Sequence, residues 1–208
     1  MTYSGLILAK IITVGVLSTP FPALPAQATQ TAAVQGVPTS ANSLGGSGGI
    51  VEALLPGAKL MGSGELTWFG LKVYEAQLWS TSASAQALKV QPSKFAEHSF
   101  ALDLRYARNL AGEAIAERSL AEIQKLGLGS SAQHDAWLSD MKKLFPNIKK
   151  GDRLMGVHVP SQGVQFFLND RLLGRVEDLA FARAFFAIWL DERTSVPTLR
   201  EALLKVKS

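Results

Sequence analysis

The residues best suited to chemistry are a phenol and three cations on or beside two predicted strands. Lys72 and Tyr74 lie two positions apart in an apolar and aromatic run, so in an extended chain they share one face. Arg105 belongs to a second alternating run, and Arg108 follows it in a turn. A phenol beside a cation can bind a carboxylate or polarise a carbonyl or enolate oxygen. Tyr74, Lys72, Arg105 and Arg108 are therefore the predicted ligand-binding residues, and no catalytic residue is assigned.

The same four residues also fit a purely structural arrangement. Tyr74 could cap the core with its hydroxyl, while the arginines pair with Asp103 or with glutamates. The sequence alone leaves both interpretations open.

Several other chemistries lack the residues they need. The chain has no cysteine, which excludes disulfides, thiolate nucleophiles and Cys-based metal sites. His98, His134 and His158 are too scattered for a metal motif, so no metal is predicted. Ser139 and Lys142 match Ser-x-x-Lys but without its companion motifs. With no glycine-rich phosphate loop either, no cofactor is predicted.

The densest basic cluster consists of Lys142, Lys143, Lys149, Lys150 and Arg153. It has no nucleic-acid reading motif beside it, so nucleic acid is not an expected partner. A solvated face, or attraction to anionic lipid or cell-wall polymers, is the interpretation that remains.

The N-terminus has the layout of a secretory signal. Lys10 precedes an apolar stretch, Ile11 to Leu17, and small residues flank Gln27, which predicts cleavage after Ala28. A retained anchor is the alternative, but Ser18 and two prolines interrupt the run well short of the ~20 residues of a spanning helix. The predicted location is the periplasm or the exterior, with no stable membrane span after cleavage.

Composition then divides the chain into a signal at 1–28, a flexible Gly/Ser/Ala-rich leader at 29–49 and one domain at 50–208. The leader contains too few apolar residues to offset the entropy of ordering. Removing the signal takes away Lys10 and lowers the net charge from +4 to +3, which is only mildly basic.

Hydrophobic periodicity predicts an α+β domain. Period-two runs predict strands and helical spacing predicts helices, with Asp178 as an N-cap, Gly127 as a C-cap and Asn169-Asp170 as a hairpin turn. The predicted strands lie within 65–79, 100–106, 153–159, 164–168 and 172–176, and the predicted helices at 112–127, 133–144, 179–190 and from Pro197 onward. This order favours an antiparallel sheet covered by helices on one face.

The order of features from Leu60 to Leu204 resembles the bacterial, exported branch of the chalcone-isomerase-like family. The matching residues are Gly151-Asp152-Arg153-Leu154, Val159-Pro160, Gly163, Asn169, Gly174, Phe181-Ala182-Arg183-Ala184, Ile188-Trp189-Leu190 and Leu199-Arg200-Glu201-Ala202-Leu203-Leu204. The resemblance implies an open-faced β-sandwich: a large antiparallel sheet, helices on one face, and a ligand cleft between them. It also implies either an intramolecular lyase, as in plant members that close a flavanone ring, or a fatty-acid binder without turnover.

One family motif bears directly on catalysis. The family's Gly-x-Gly-x-Arg corresponds to Gly62-Ser63-Gly64-Glu65-Leu66, so leucine stands where the resemblance implies an oxyanion-binding arginine. Such a contact is typically worth ~3–4 kcal/mol in the transition state. Tyr74 matches the family position of a cleft-facing Tyr or Thr, whereas the inward positions of the helix after Gly112 look apolar.

The leading hypothesis is an exported chalcone-isomerase-like protein that binds a small amphipathic ligand, a fatty acid or aromatic acid, without efficient catalysis. A second hypothesis is an isomerase, an intramolecular lyase acting on a chalcone- or enone-like substrate, in which Arg105 or Arg108 replaces the missing arginine. A third is an envelope interaction protein that uses its basic face.

Overall fold

The computed structural model describes residues 48–206. The predicted signal peptide, 1–28, and all but two residues of the predicted leader, 29–49, lie outside the described residues, so both stay predictions. The first helix begins at Gly48, two residues before the predicted start of the domain.

The described chain has its strands and helices in separate groups, an α+β order. Its strands are β1 Lys59–Trp68, β2 Leu71–Ser80, β3 Phe100–Tyr106, β4 Arg153–Val159, β5 Gly163–Leu168 and β6 Arg171–Val176. Its helices are α1 Gly48–Leu54, α2 Ser82–Val90, a 3-10 helix Pro92–Glu97, α3 Gly112–Lys125, α4 Ser131–Leu144, α5 Leu179–Leu190 and α6 Pro197–Leu204.

The six strands form one antiparallel sheet in chain order, from β1 at one edge to β6 at the other. Tyr74 on β2 pairs with Leu66 on β1 and with Tyr106 on β3, so these three residues form a row across the sheet. The predicted fold class, an open antiparallel sheet packed against helices, is confirmed.

The predicted end signals act where the sequence places them. Asp178 caps α5 by accepting hydrogen bonds from the amides of Ala180 and Phe181. Gly127 follows α3 with a φ of 69°, and its amide donates to the Gln124 carbonyl, as in a Schellman ending. Pro197 begins α6.

The main core lies between one face of the sheet and helices α3 to α6. Nine of the twelve residues of α5 are buried, so this helix has almost no solvent face. The Phe186 ring meets Phe100 edge-on at 4.8 Å, and His158 stacks on Phe100 at 5.0 Å. His158 Nδ1 hydrogen-bonds to the His98 carbonyl, so this imidazole is a satisfied part of the core.

A smaller apolar cluster covers part of the opposite face. Val51 of α1 and Leu55, the residue after this helix, pack against Ala101, Met155 and Val157. The helices of the main layer thus occupy one face, as predicted, and the short α1 adds local cover to the other.

Candidate ligand cavity

A cavity of about 420 Å³ lies between the sheet and helices α3 and α5. Its volume falls within the range of ~300–1,000 Å³ typical of small-molecule sites. Most of its wall is aliphatic or aromatic: Leu66, Val73, Leu104, Leu110, Ile115, Leu154, Phe185 and Ile188. Such a wall favours the apolar part of an amphipathic ligand.

Tyr74 provides a hydroxyl on the sheet side of this cavity. Trp189 Nε1 on α5 donates a hydrogen bond of 2.9 Å to the Tyr74 oxygen, and the Tyr106 ring lies edge-on at 5.6 Å. Among the described residues no group accepts the Tyr74 O–H proton. The hydroxyl is thus oriented by Trp189 and keeps its own proton for donation.

Burial raises the pKa of Tyr74 to about 12, against opposing effects of the Trp189 hydrogen bond and the Arg118 charge. Burial also raises the pKa of Tyr106, with a smaller effect from Tyr74. Both phenols are therefore neutral donors across the physiological pH range.

These shifts predict an alkaline titration. Tyr74 and Tyr106 are the only tyrosines after Tyr3, so a chain beginning at Thr29 should show almost no tyrosinate absorbance near pH 10, the ordinary tyrosine pKa. Because the folded-state pKa is raised, stability is fully present below about pH 10 and falls as pH rises toward about 12. Absorbance titration of folded and urea-unfolded protein checks this, and coincident curves would contradict it.

The polar end of the cavity is a cluster around a buried carboxylate on α3. Glu122 Oε1 accepts from Arg118 at 2.6 Å and from Lys125 at 2.9 Å, and Glu122 Oε2 accepts from the Ser195 hydroxyl at 2.6 Å. Burial acts to raise the pKa of Glu122, but the Ser195 hydroxyl, Lys125 and Arg118 together outweigh it and hold the pKa below its ordinary value. Two cations thus surround one ionised carboxylate.

Arg118 also borders the opening of the cavity. Its guanidinium lies 5.3 Å from the centroid of the Trp68 ring, a cation–π distance. The Arg118 side chain is 56% exposed, so it can meet a ligand without full desolvation. The cation at this cavity therefore comes from α3, and not from β1, where Leu66 occupies the position of the family arginine.

Sequence reasoning missed this cluster because it expected the inward positions of the helix after Gly112 to be apolar. Ile115, Arg118, Ser119 and Glu122 recur at helical spacing and form an inward stripe. An arginine and a glutamate four residues apart was the available signal.

The four predicted ligand-binding residues do not converge. Tyr74 lines the cavity, whereas Lys72, Arg105 and Arg108 do not. Lys72 pairs with Glu65 and lies 3.9 Å from Glu75.

Arg105 lies in a groove on the opposite face of the sheet, together with Glu75, Gln77 and Asp103. Arg108 is exposed in the turn after β3. Neither arginine is placed to replace the one missing at Leu66.

The Gly-x-Gly-x-Leu segment of β1 has two separate roles. A Cβ on Gly62 would lie 2.3 Å from the carbonyl oxygens of both Ala202 and Leu203, and one on Gly64 would lie 2.8 Å from Leu199 Cδ1. The glycines therefore let α6 pack directly on β1. Leu66, two residues later, lines the cavity with an apolar side chain.

The basic cluster is partly neutralised by its neighbours. Lys142 contacts Glu113 at 2.7 Å and Glu117 at 2.9 Å, and Arg153 contacts Asp170 at 2.6 Å. Within residues 48–206, no group of three or more His, Asp or Glu side chains could hold a metal ion. No helix in that range is long and apolar enough to cross a bilayer.

Comparison with known proteins agrees with this architecture. The solved structure of a fatty-acid binding protein from Arabidopsis thaliana is similar, with a TM-score of 0.58 and 14% sequence identity over 72% of this chain and 87% of that chain. At this identity the likeness shows the fold alone. No curated protein sequence matches.

A family model described as chalcone isomerase-like matches residues 57–205, which is more than half of the sequence. With the open antiparallel sheet and its helical layer, this match identifies the chain as a member of the chalcone isomerase-like family.

Proposed function

We propose that this protein binds a small amphipathic carboxylate, a fatty acid or aromatic acid, in the cavity between sheet and helices, without efficient catalysis. The observation that carries the proposal is the pairing of an apolar wall with a cation and a neutral phenol. The similar plant structure is that of a fatty-acid binding protein, which supports this ligand class.

Arg118 and Tyr74 would hold the carboxylate. The two are close enough for the Arg118 charge to act on the pKa of Tyr74. A guanidinium and a phenolic O–H both donate to a carboxylate, and charge-assisted hydrogen bonds are about twice as strong as neutral ones. The aliphatic chain or ring would then lie against residues such as Ile115 and Phe185.

Glu122 competes with the ligand carboxylate for Arg118, but Arg118 is not its only hydrogen-bonding partner. Lys125 and Ser195 remain on Glu122 when Arg118 turns toward a second carboxylate. The exchange therefore leaves no buried charge unpaired, which keeps its free-energy cost low.

The apolar Leu66 supports binding over turnover. An isomerase that closes a ring through an enolate or phenolate needs a donor at the developing oxyanion, and Leu66 cannot provide one. The predicted signal peptide supports action in the periplasm or outside the cell.

The test is calorimetric titration of delipidated protein with dodecanoate, using Arg118→Leu and the matched control Arg105→Leu. We expect Arg118→Leu to weaken binding by roughly thirtyfold, because a lost partner of a buried carboxylate costs about 2 kcal/mol or more. Arg105→Leu should bind like the wild type, since Arg105 lies on the other face of the sheet.

Dodecanol serves as the uncharged probe in the same titration. Its affinity should change little between wild type and Arg118→Leu. Absence of dodecanoate binding to the wild type, or equal losses in both arginine variants, would reject the proposal.

A further inference from the structure

The turn between β1 and β2 presents three large apolar side chains to solvent. Trp68 is 53% exposed, Phe69 90% and Leu71 63%. The other large apolar residues exposed in the described chain are Leu60, Val90, Leu172 and Leu179, which are scattered. Isolated exposed apolar residues are ordinary, whereas a contiguous group marks an interaction site.

The turn is built to project these side chains. Phe69 has a φ of 48° and Gly70 a φ of 75°. Phe69 thus adopts the left-handed conformation, which is energetically unfavourable for a bulky side chain. Trp68 and Phe69 meet edge-on at 5.2 Å. A strained, fully exposed phenylalanine at a tight turn is a cost that folding alone does not explain.

A cation lies against this apolar tip. Arg118 lies over the Trp68 ring and belongs, with Lys125, to a cluster that has two cations and one carboxylate. Lys72, at the start of β2, pairs with Glu65 and lies 3.9 Å from Glu75. The charge that meets the tip directly is therefore the Arg118 guanidinium, next to Trp68.

We propose that the Trp68–Leu71 tip docks on an anionic lipid surface. Tryptophan, phenylalanine and leucine insert at the boundary of headgroups and acyl chains, while an arginine beside them, here Arg118, meets anionic headgroups. The tip is only four residues long, far smaller than the 20–30 residues a side of a typical protein interface, but it suits insertion into a bilayer.

The position of the tip also connects docking to the cavity. Trp68 lines both the exposed turn and the opening of the cavity, with Leu66 behind it. A ligand that resides in a membrane would thus meet the cavity at the docking site. This transfer role rests on the proposed function, but the lipid contact itself does not.

The test is flotation with vesicles made of equal parts phosphatidylcholine and phosphatidylglycerol. The protein is the predicted mature chain from Thr29, which contains every described residue and excludes the apolar N-terminal stretch. The double variant Phe69→Ser, Leu71→Ser should lower the partition coefficient at least about tenfold. The control Val90→Ser, Leu179→Ser removes similarly exposed apolar side chains elsewhere and should leave the partition coefficient unchanged.

Two further measurements separate the outcomes. Dodecanoate binding in vesicle-free buffer should be the same in the wild type, the tip variant and the control. If the wild type floats with vesicles but does not bind dodecanoate, the proposed function is rejected and the docking proposal stands. Vesicle binding that is absent in the wild type, or equally reduced in the control, overturns the docking proposal. Phe69-dependent dimers in sedimentation, without flotation, would overturn it in favour of a protein contact.

Discussion

Gly62→Ala is expected to destabilise the protein by about 3 kcal/mol or more, because the new methyl group meets backbone rather than a movable side chain. The Cβ would lie 2.3 Å from two carbonyl oxygens at the end of α6, and it can be accommodated only if α6 moves away from β1. For a domain of this size the melting temperature should fall by roughly 6–12 °C.

Gly49→Ala is the matched control for this substitution. Gly49 lies in α1, where an added Cβ meets nothing within 4 Å, and alanine is the better helix former. Thermal denaturation of both variants, monitored by circular dichroism, gives the comparison. If Gly62→Ala and Gly49→Ala have the same melting temperature, then the close approach of α6 does not explain why residue 62 is a glycine.

Phe186→Ala is expected to cost about 4 kcal/mol in the free energy of unfolding, through lost burial and the cavity that remains. Phe186 is fully buried, and its ring contacts Phe100 and His158 on the sheet. Urea denaturation measures the loss. The control is Phe69→Ala, which removes the same atoms from an exposed turn and should change stability by less than about 0.5 kcal/mol.

A partner substitution makes this prediction sharper. A Cβ on Gly156 would lie 3.0 Å from Phe186 Cζ, so Gly156→Ala crowds the wild-type ring. In the Phe186→Ala background the same methyl group enters the vacated space. The double variant should therefore lose less unfolding free energy than the two single variants lose together. Strictly additive losses would contradict a direct contact between the two positions.

Much of the fold could be predicted because its signals are local. Asp178 precedes a strongly apolar run, Gly127 ends a helical period and Pro197 starts one, and each of these features acts within a few residues. The sheet strands that alternate in hydrophobicity, such as Phe100–Tyr106, appear with the predicted bounds.

The sequence did not reveal α2 and the 3-10 helix, Pro92–Glu97. The helix α2 has a weak apolar pattern with one buried residue, Leu88, and its N-cap is a threonine that accepts from Ser84. Neither feature stands out in a Ser- and Ala-rich segment, because such composition is also typical of loops.

The site was harder to predict than the fold because it depends on distance in space. Tyr74 and Arg105 belong to neighbouring strands, yet alternation places them on opposite faces of the sheet. Arg118 comes from a helix, and only tertiary packing brings it to the cavity. The leucine at position 66 indicates that the family arginine is missing, but it does not indicate which helix or strand supplies the positive charge at the cavity.

The packing of α6 on β1 has a consequence for the order of assembly. The strands pair in chain order, so β1 can pair with β2 as soon as both strands are available, whereas the packing of α6 on β1 must wait for residues 197–204. Until then the backbone at Gly62 and Gly64 lacks the cover that α6 provides. Because α6 is the last helix of the described chain, its packing on β1 is the last tertiary contact that chain order allows to form.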